Sequence, residues 1–338
     1  MTSPCPACGE PIGPDDGFCE VCGAELAPAA VSSGAAGGAP ECPPCAADGR
    51  PSTGVSPEGY CEFCGRKVPS GRDREELNVG PAAGVTDRGL RHARNEDAMA
   101  LAATRVSGEP VALAVVCDGV SSAPRSDEAS LSAVRAAAGS LLSAVRAGDD
   151  PAAASAGAAR AAGSAVAALA SAARAPAATY ASAVVDGTGV TVCWLGDSRV
   201  YWLAADVSGS HLLTTDDSLA EELVATGHAT VDEAMKSPQA HVITRWLGAD
   251  LPEPEPHVAR FEPPDRGVVL LCSDGLWNYQ PEATELAAMA LPAALTDPLA
   301  AAAALVKFAV DAGGADNITT VLMPFPPVWP ENSPRSER

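Results

Sequence analysis

Apolar positions fall along this chain in short unbroken runs, and two of the runs share one form. Val111-Ala112-Leu113-Ala114-Val115-Val116-Cys117 ends in Asp118-Gly119, and Gly267-Val268-Val269-Leu270-Leu271-Cys272 ends in Ser273-Asp274-Gly275. An uninterrupted apolar run of strand length is the pattern of a strand covered on both faces, so each Asp is expected where the backbone leaves a buried sheet. Further strands are predicted at Ala98 to Thr104, Thr179 to Val185, Val190 to Leu195, Val200 to Ala204, His211 to Thr214 and Ile318 to Met323. The middle ones read as an antiparallel meander, because Asp-Gly and Gly-Asp turns separate them. From Asp127 to Arg174 the chain is rich in Ala, Leu and Arg and is broken at Asp149-Asp150-Pro151, which predicts two helices. Other helices are predicted at Leu219 to Thr226, Val231 to Lys236, Glu282 to Met289 and Pro298 to Ala312. Strands in several clusters among helices imply two sheets covered by helices.

Composition narrows the function. The 338 residues allow one large domain with a smaller appendage. A net charge of -21 with no basic stripe argues against nucleic acid or an anionic membrane as partner. No apolar run reaches 18 residues and no basic, apolar leader opens the chain, so a soluble cytoplasmic protein is expected.

Eight of the eleven cysteines stand in CxxC pairs: Cys5/Cys8, Cys19/Cys22, Cys42/Cys45 and Cys61/Cys64. Two such turns complete a tetrahedral four-thiolate site, the arrangement of structural zinc, and each set is too short to fold without its metal. Two zinc ribbons, similar to rubredoxin-like ribbons, are therefore expected at 1–26 and 41–66, with linkers at 27–40 and 67–81. A large domain at 82–325 and a Pro-rich tail at 326–338 complete the plan. Residues 1–80 hold five basic against twelve acidic residues, which favours protein docking over nucleic-acid binding for the ribbons. The isolated Cys117, Cys193 and Cys272 read as small core residues. Trp194, Trp202 and Trp246 read as packing, and His211, His228, His241 and His257 as residues without chemistry. Asp216 and Asp217 stand where they can cap a helix beginning near Ser218.

The acids in turns or after apolar strands are Glu96-Asp97, Asp118, Asp197, Asp274 and Asp316. A site of carboxylates and carbonyls without histidine clusters suits the hard cations Mg²⁺ or Mn²⁺, two of which can clamp an in-line displacement at phosphorus.

Six ordered blocks carry a resemblance: Arg91-His92-Ala93-Arg94-Asn95-Glu96-Asp97, Val116-Cys117-Asp118-Gly119, Gly196-Asp197-Ser198-Arg199, Leu213 to Leu219, Leu270 to Trp277 and Gly314-Ala315-Asp316-Asn317-Ile318-Thr319. Together they resemble the motifs of the PP2C, or PPM-type, metal-dependent protein phosphatases over Gly84 to Met323. The resemblance implies an α+β fold, a four-layer α/β/β/α sandwich of two antiparallel sheets. It implies that Asp118 bridges two metals with the Gly119 carbonyl beside it, that Asp274 and Asp316 hold one metal, and that Glu96 and Asp97 serve the site directly or through water. Asp197 matches the position for a third metal, and Ser218 to Gly248 would be the flap. Two departures stand out. His92 occupies the place of the family's phosphate-gripping Arg, so Arg94, on the same face if the segment is extended, is expected to bind phosphate with His92 and Arg91. Ser121-Ser122-Ala123 replaces a Gly-Gly-His run. The function implied is hydrolysis of phosphoserine and phosphothreonine in substrates of a Ser/Thr kinase. The alternative is a catalytically weak phosphoprotein-binding scaffold.

Overall fold

The structure is a computed structural model that describes residues 3–4, 10–12, 21, 29–31, 42–51, 53–56, 60–66, 68, 71–171, 175–234, 236–237, 239–250 and 255–327. The expected first ribbon, Cys5, Cys8, Cys19 and Cys22, and the tail from residue 328 lie outside the described residues.

Two six-stranded sheets form the centre. The first runs, in spatial order, His257–Phe261, Val190–Leu195, Tyr180–Val185, Glu109–Asp118, Asp97–Val106 and Ala29–Val31. The second runs His211–Leu212, Arg199–Ala204, Gly267–Cys272, Ile318–Phe325, Ala83–Asp87 and Arg74–Asn78. Every neighbouring pair in both is antiparallel.

Side-chain alternation shows why the strands are apolar throughout. In Asp97–Val106, Met99, Leu101 and Ala103 enter the core between the sheets, while Ala98, Ala100 and Ala102 face the outer helices. In Gly267–Cys272, Val269 and Leu271 point between the sheets and Val268, Leu270 and Cys272 point outward under helices. Ser126–Ala147 and Pro151–Ala167 cover the first sheet, and Ala283–Ala294 and Pro298–Asp311 cover the second. Both faces of each sheet are thus dry, and the four layers follow. Small residues let the helices sit close: Ala129, Ala133, Ala137 and Leu141 repeat every fourth position on the buried face of Ser126–Ala147. Gly148, at φ +80°, ends that helix, and Asp150 caps the next by accepting from Ala153 N.

Several stretches differ from expectation. The presumed linker 67–81 contains Arg74–Asn78, paired with Ala83–Asp87. The presumed linker 27–40 contains Ala29–Val31, paired with Asp97–Val106. Both read as linkers because short charged or Ala-rich strands carry little apolar signal. His257–Phe261 was hidden for a related reason: it is an edge strand with alternating exposure. The last strand continues two residues beyond the predicted Met323, through Phe325. Asp216 and Asp217 do not cap the helix Leu219–Ala225; the Ser218 side chain does, accepting from Glu221 N.

Cys117, Cys193, Cys272 and Trp202 are core residues. Leu270 is fully buried between the second sheet and its helices, so Leu270→Ala is expected to lower stability by about 2–5 kcal/mol. A shift in the urea midpoint at unchanged slope measures this.

Candidate active site

The acids gather at one end of the space between the sheets. Asp97 and Asp118 stand directly opposite each other in the first sheet, on the faces that carry the inter-sheet core. Like charges so opposed destabilise a strand pair. Asp97 is fully buried. Its Oδ2 reaches across to the second sheet, accepting from Ser273 Oγ and Thr319 Oγ1, each at 2.7 Å. Its Oδ1 is enclosed with no partner, as is Oδ1 of Asp274. Asp274 follows the apolar strand and opens the short helix Asp274–Trp277. Asp118, Asp197 and Asp274 keep partial exposure and line the opening.

Electrostatics follow from this crowding. Burial first, then the charges of Asp316 and Asp274, push Asp97 up to about 7 against two lowering hydrogen bonds. Burial and Asp316 push Asp274 up to about 6. Burial, Asp274 and Asp216 push Asp197 up to about 8. Burial and four neighbouring carboxylates raise Asp118 well above the ordinary range. A cluster that holds its protons so strongly calls for positive charge.

Close backbone approaches build the frame. A Cβ at Gly119 would lie 2.3 Å from Ser126 O, and one at Gly275 would lie 1.9 Å from Asn317 O. Neither position tolerates a side chain. Asn317 ties the loop 88–96 in place: its Nδ2 donates to Arg88 O and Arg94 O, and its Oδ1 accepts from Glu96 N at 2.8 Å. Asn95 donates to Thr86 Oγ1 at 2.8 Å and to Arg72 O at 3.2 Å. Ser273, Thr319, Asn317, Asn95 and Arg72 received no role from sequence. Ser273, Thr319, Asn317 and Asn95 fall inside the quoted motifs, which was the available signal; Arg72 had none.

That loop is a bend, and Gly89 at φ +68° turns it. The premise of an extended segment presenting His92 and Arg94 on one face therefore fails. His92 lies among the acids, Nε2 at 3.1 Å from Asp316 Oδ1 and Nδ1 at 3.6 Å from Glu96 Oε2. Arg94 pairs instead with Asp127 at 3.2 Å, and Arg91 is exposed. Glu96 accepts from Ser126 Oγ at 2.7 Å and from Ser121 Oγ, so the first serine of the variant loop holds this carboxylate. Asp197 accepts at its main-chain oxygen from Trp277 Nε1 at 2.9 Å. Arg199 forks onto Asp216 at 2.7–3.2 Å and lies 3.8 Å above the Trp277 ring. Asp217 accepts from Gly196 N and pairs with His257 at 2.8 Å, which fixes the turn carrying Asp197.

The donors fit divalent cations. They are oxygens, two are enclosed without partners, and their charges repel. Among the described residues, no three carboxylates bring an oxygen each within 4.8 Å of one another. A shared ion would therefore draw these carboxylates closer together than they stand without it. The four sulfurs of Cys42, Cys45, Cys61 and Cys64 do meet within 4.8 Å, with Cys42–Cys64 at 3.6 Å and Cys45–Cys61 at 3.7 Å. Four thiolates about 2.3 Å from one Zn²⁺ stand about 3.8 Å apart, so this set fits zinc.

Residues 88–308 match the family model described as protein phosphatase 2C. The chain belongs to that family. It is 35% identical over 146 residues to the serine/threonine phosphatase Stp of Listeria innocua, covering 43% of this chain and 55% of that protein. The chain thus spans about half the length of the curated relatives it matches. The PPM Ser-Thr phosphatase MsPP from Mycobacterium smegmatis, solved with cacodylate, superposes with a TM-score of 0.56 at 32% identity, over 72% of this chain and 97% of that one. The catalytic domain of the phosphatase PstP, solved with two manganese ions, superposes with a TM-score of 0.51 at 26% identity, over 72% and 97%. The family match ends before Asp316, whose placement here rests on the fold.

The raised carboxylates set a direction for stability. Metal-free, the folded protein keeps protons that the unfolded chain loses near pH 3.8, so unfolding releases them and stability falls as pH rises from about 4 to 8. Each retained proton is worth about 1.4 kcal/mol per pH unit. Melting followed by fluorescence of the five tryptophans, all beyond residue 193, is expected to show a lower midpoint in chelator at pH 8 than at pH 5. Asp97→Asn flattens the slope and Mn²⁺ reverses it; a midpoint that climbs with pH contradicts the account.

Proposed function

We propose that the chain is a metal-dependent protein serine/threonine phosphatase acting on phosphoproteins made by a Ser/Thr kinase. One observation carries the reading: two sheets deliver Asp97, Asp118 and Asp274 close enough to raise one another's pKa, and Oδ1 of Asp97 and Oδ1 of Asp274 are enclosed without a partner. Asp118, the Gly119 carbonyl, Asp274 and Asp316 would hold Mn²⁺ or Mg²⁺ ions, with Asp97 and Glu96 supporting directly or through water. Asp197 would serve a third. When bound, such ions activate a water for in-line attack at phosphorus and offset the charge that develops. PstP with two manganese ions supports this choice of metal.

The chain's own residues supply the rest. Ser273 and Thr319 orient Asp97, and Asn317 holds the loop that presents His92 to the substrate phosphate. Arg91 and Arg94 stand on the same loop; the half-exposed Arg94–Asp127 pair is weak enough to be exchanged for a phosphoryl oxygen. A cavity of about 490 Å³, lined by Val120, Ala123, Ala177, Ile243 and Trp246, opens between the loop after Gly119 and the flap, and would receive residues flanking the phosphorylated one.

The second reading, a weakly active phosphoprotein-binding scaffold, is favoured by one observation: both oxygens of Glu96 are occupied by Ser121 and Ser126. Mn²⁺-dependent hydrolysis of a phosphothreonine peptide is expected, with Asp118→Asn at least ~100-fold slower because it removes a shared ligand. Turnover no higher than that variant's would leave only the scaffold.

The four-cysteine units are read as structural zinc ribbons that dock a protein partner, with Tyr60 and Phe63 exposed on the second. Reduced thiolates suit the cytoplasm, and no helix among the described residues is long and apolar enough to cross a membrane. Zinc near two per chain is expected by elemental analysis; a ribbon region that folds without zinc would refute the assignment.

A further inference from the structure

The four-cysteine unit and the carboxylate cluster are joined by almost no chain. Val68 packs into the small core of Cys42, Cys45 and Cys61. Four residues later, Arg72 is buried in the wall of the candidate active site. Its Nη2 donates to the main-chain oxygen of Asp97 at 2.8 Å and its Nη1 to that of Asp127 at 3.1 Å. Its own carbonyl accepts from Asn95. The grip continues along the chain. Asp73 O accepts from Arg88 N at 2.7 Å, the Asp73 carboxylate faces Arg88 Nε at 3.6 Å, and Arg74 pairs with Asp87 at 3.1 Å. Residues 72–74 therefore lie along 87–97, the bend that carries His92, Arg94, Glu96 and Asp97.

Arg72 is not a surface charge that happens to reach inward. Burial lowers its pKa, and the charges of Asp127, Glu75 and Asp97 work against that, so a cation is held directly behind the carboxylates. Its Nε is enclosed without a partner; the two carbonyls are what fix the side chain. It also lies outside the stretch matched by the family model, 88–308.

We propose that Arg72 is a positioning residue for the metal-binding carboxylates, and that through it the four-cysteine unit sets their affinity for divalent metal. The proposal rests on the metal-dependent reading above. In sequence, only four positions separate Val68 in the ribbon core from Arg72, whose guanidinium holds the carbonyl of Asp97, one half of the opposed Asp97–Asp118 pair. Groups that orient a ligand from behind commonly govern metal affinity as strongly as some ligands do.

The test uses the full chain, zinc-loaded, titrated with MnCl₂ in a calorimeter. Arg72→Met is expected to weaken Mn²⁺ binding roughly 10–100-fold, and Arg72→Lys, which keeps the charge but loses the fork, to recover part of it. Cys61→Ser with Cys64→Ser is expected to weaken binding similarly. Combined with Arg72→Met, it is expected to add nothing further, because both act through one contact. Hydrogen exchange without Mn²⁺ gives a second readout: amides of 88–97 exchange faster in each variant, while those of Pro298–Asp311 do not change. Wild-type Mn²⁺ affinity in Arg72→Met, or losses that multiply in the combined variant, overturns the proposal. Should Arg72→Met fail to fold, Arg72→Lys and the exchange data for the cysteine variant decide it. Asp118→Asn separates the premises: if it binds Mn²⁺ like wild type, the metal reading fails; if it alone loses Mn²⁺, only the role of Arg72 fails.

Discussion

One carboxylate oxygen, Oδ2 of Asp97, spans the gap between the sheets to Ser273 and Thr319, and the other acids are placed around that crossing. Hydrogen bonds to a charged group contribute about 1.5–3 kcal/mol each. Enclosing a carboxylate costs several kcal/mol, and the opposed Asp118 adds repulsion. The bonds do not offset the cost, which is why Asp97 holds its proton up to about 7. The chain accepts a locally unfavourable arrangement within a large dry core, which a bound cation would relieve. On the proposed reading, the folding of the sheets and the binding of metal would be opposite sides of one electrostatic balance.

Much of the architecture was legible. Continuous apolar runs mean strands covered on both faces, and the alternation of Met99, Leu101 and Ala103 with Ala98, Ala100 and Ala102 shows the two cores that cover them. The Asp-Gly endings marked where carboxylates emerge, since Gly119 and Gly275 are the positions where another chain segment leaves no room for a side chain. The second CxxC set likewise predicted four sulfurs around one point.

What escaped reading depends on contacts between residues far apart in sequence. Nothing near Asp97 announces Ser273 or Thr319 as its donors, and nothing near residue 90 announces that an amide at Asn317 bends the loop. The bend decides which side chain faces the acids: His92 is turned inward and Arg94 toward Asp127. Alternation of side chains does not reveal the bend, because it holds only for an extended backbone. The stretch 71–78 was misread because its charges resemble a linker, although Arg72 is buried and the strand after it is paired.

That strand has a further consequence. Arg74–Asn78 is short, alternates between exposed and half-buried positions, and carries Arg74, Glu75 and Glu76. It covers the otherwise open backbone edge of Ala83–Asp87, whose side chains are mostly buried and uncharged. A bare edge of that kind templates pairing with other chains, whereas a short, charged one repels them. The segment between the ribbon and the sandwich is in this sense an edge guard. A fragment trimmed to begin at the first buried strand would keep every carboxylate proposed to hold Mn²⁺ or Mg²⁺ and lose its protection against self-association.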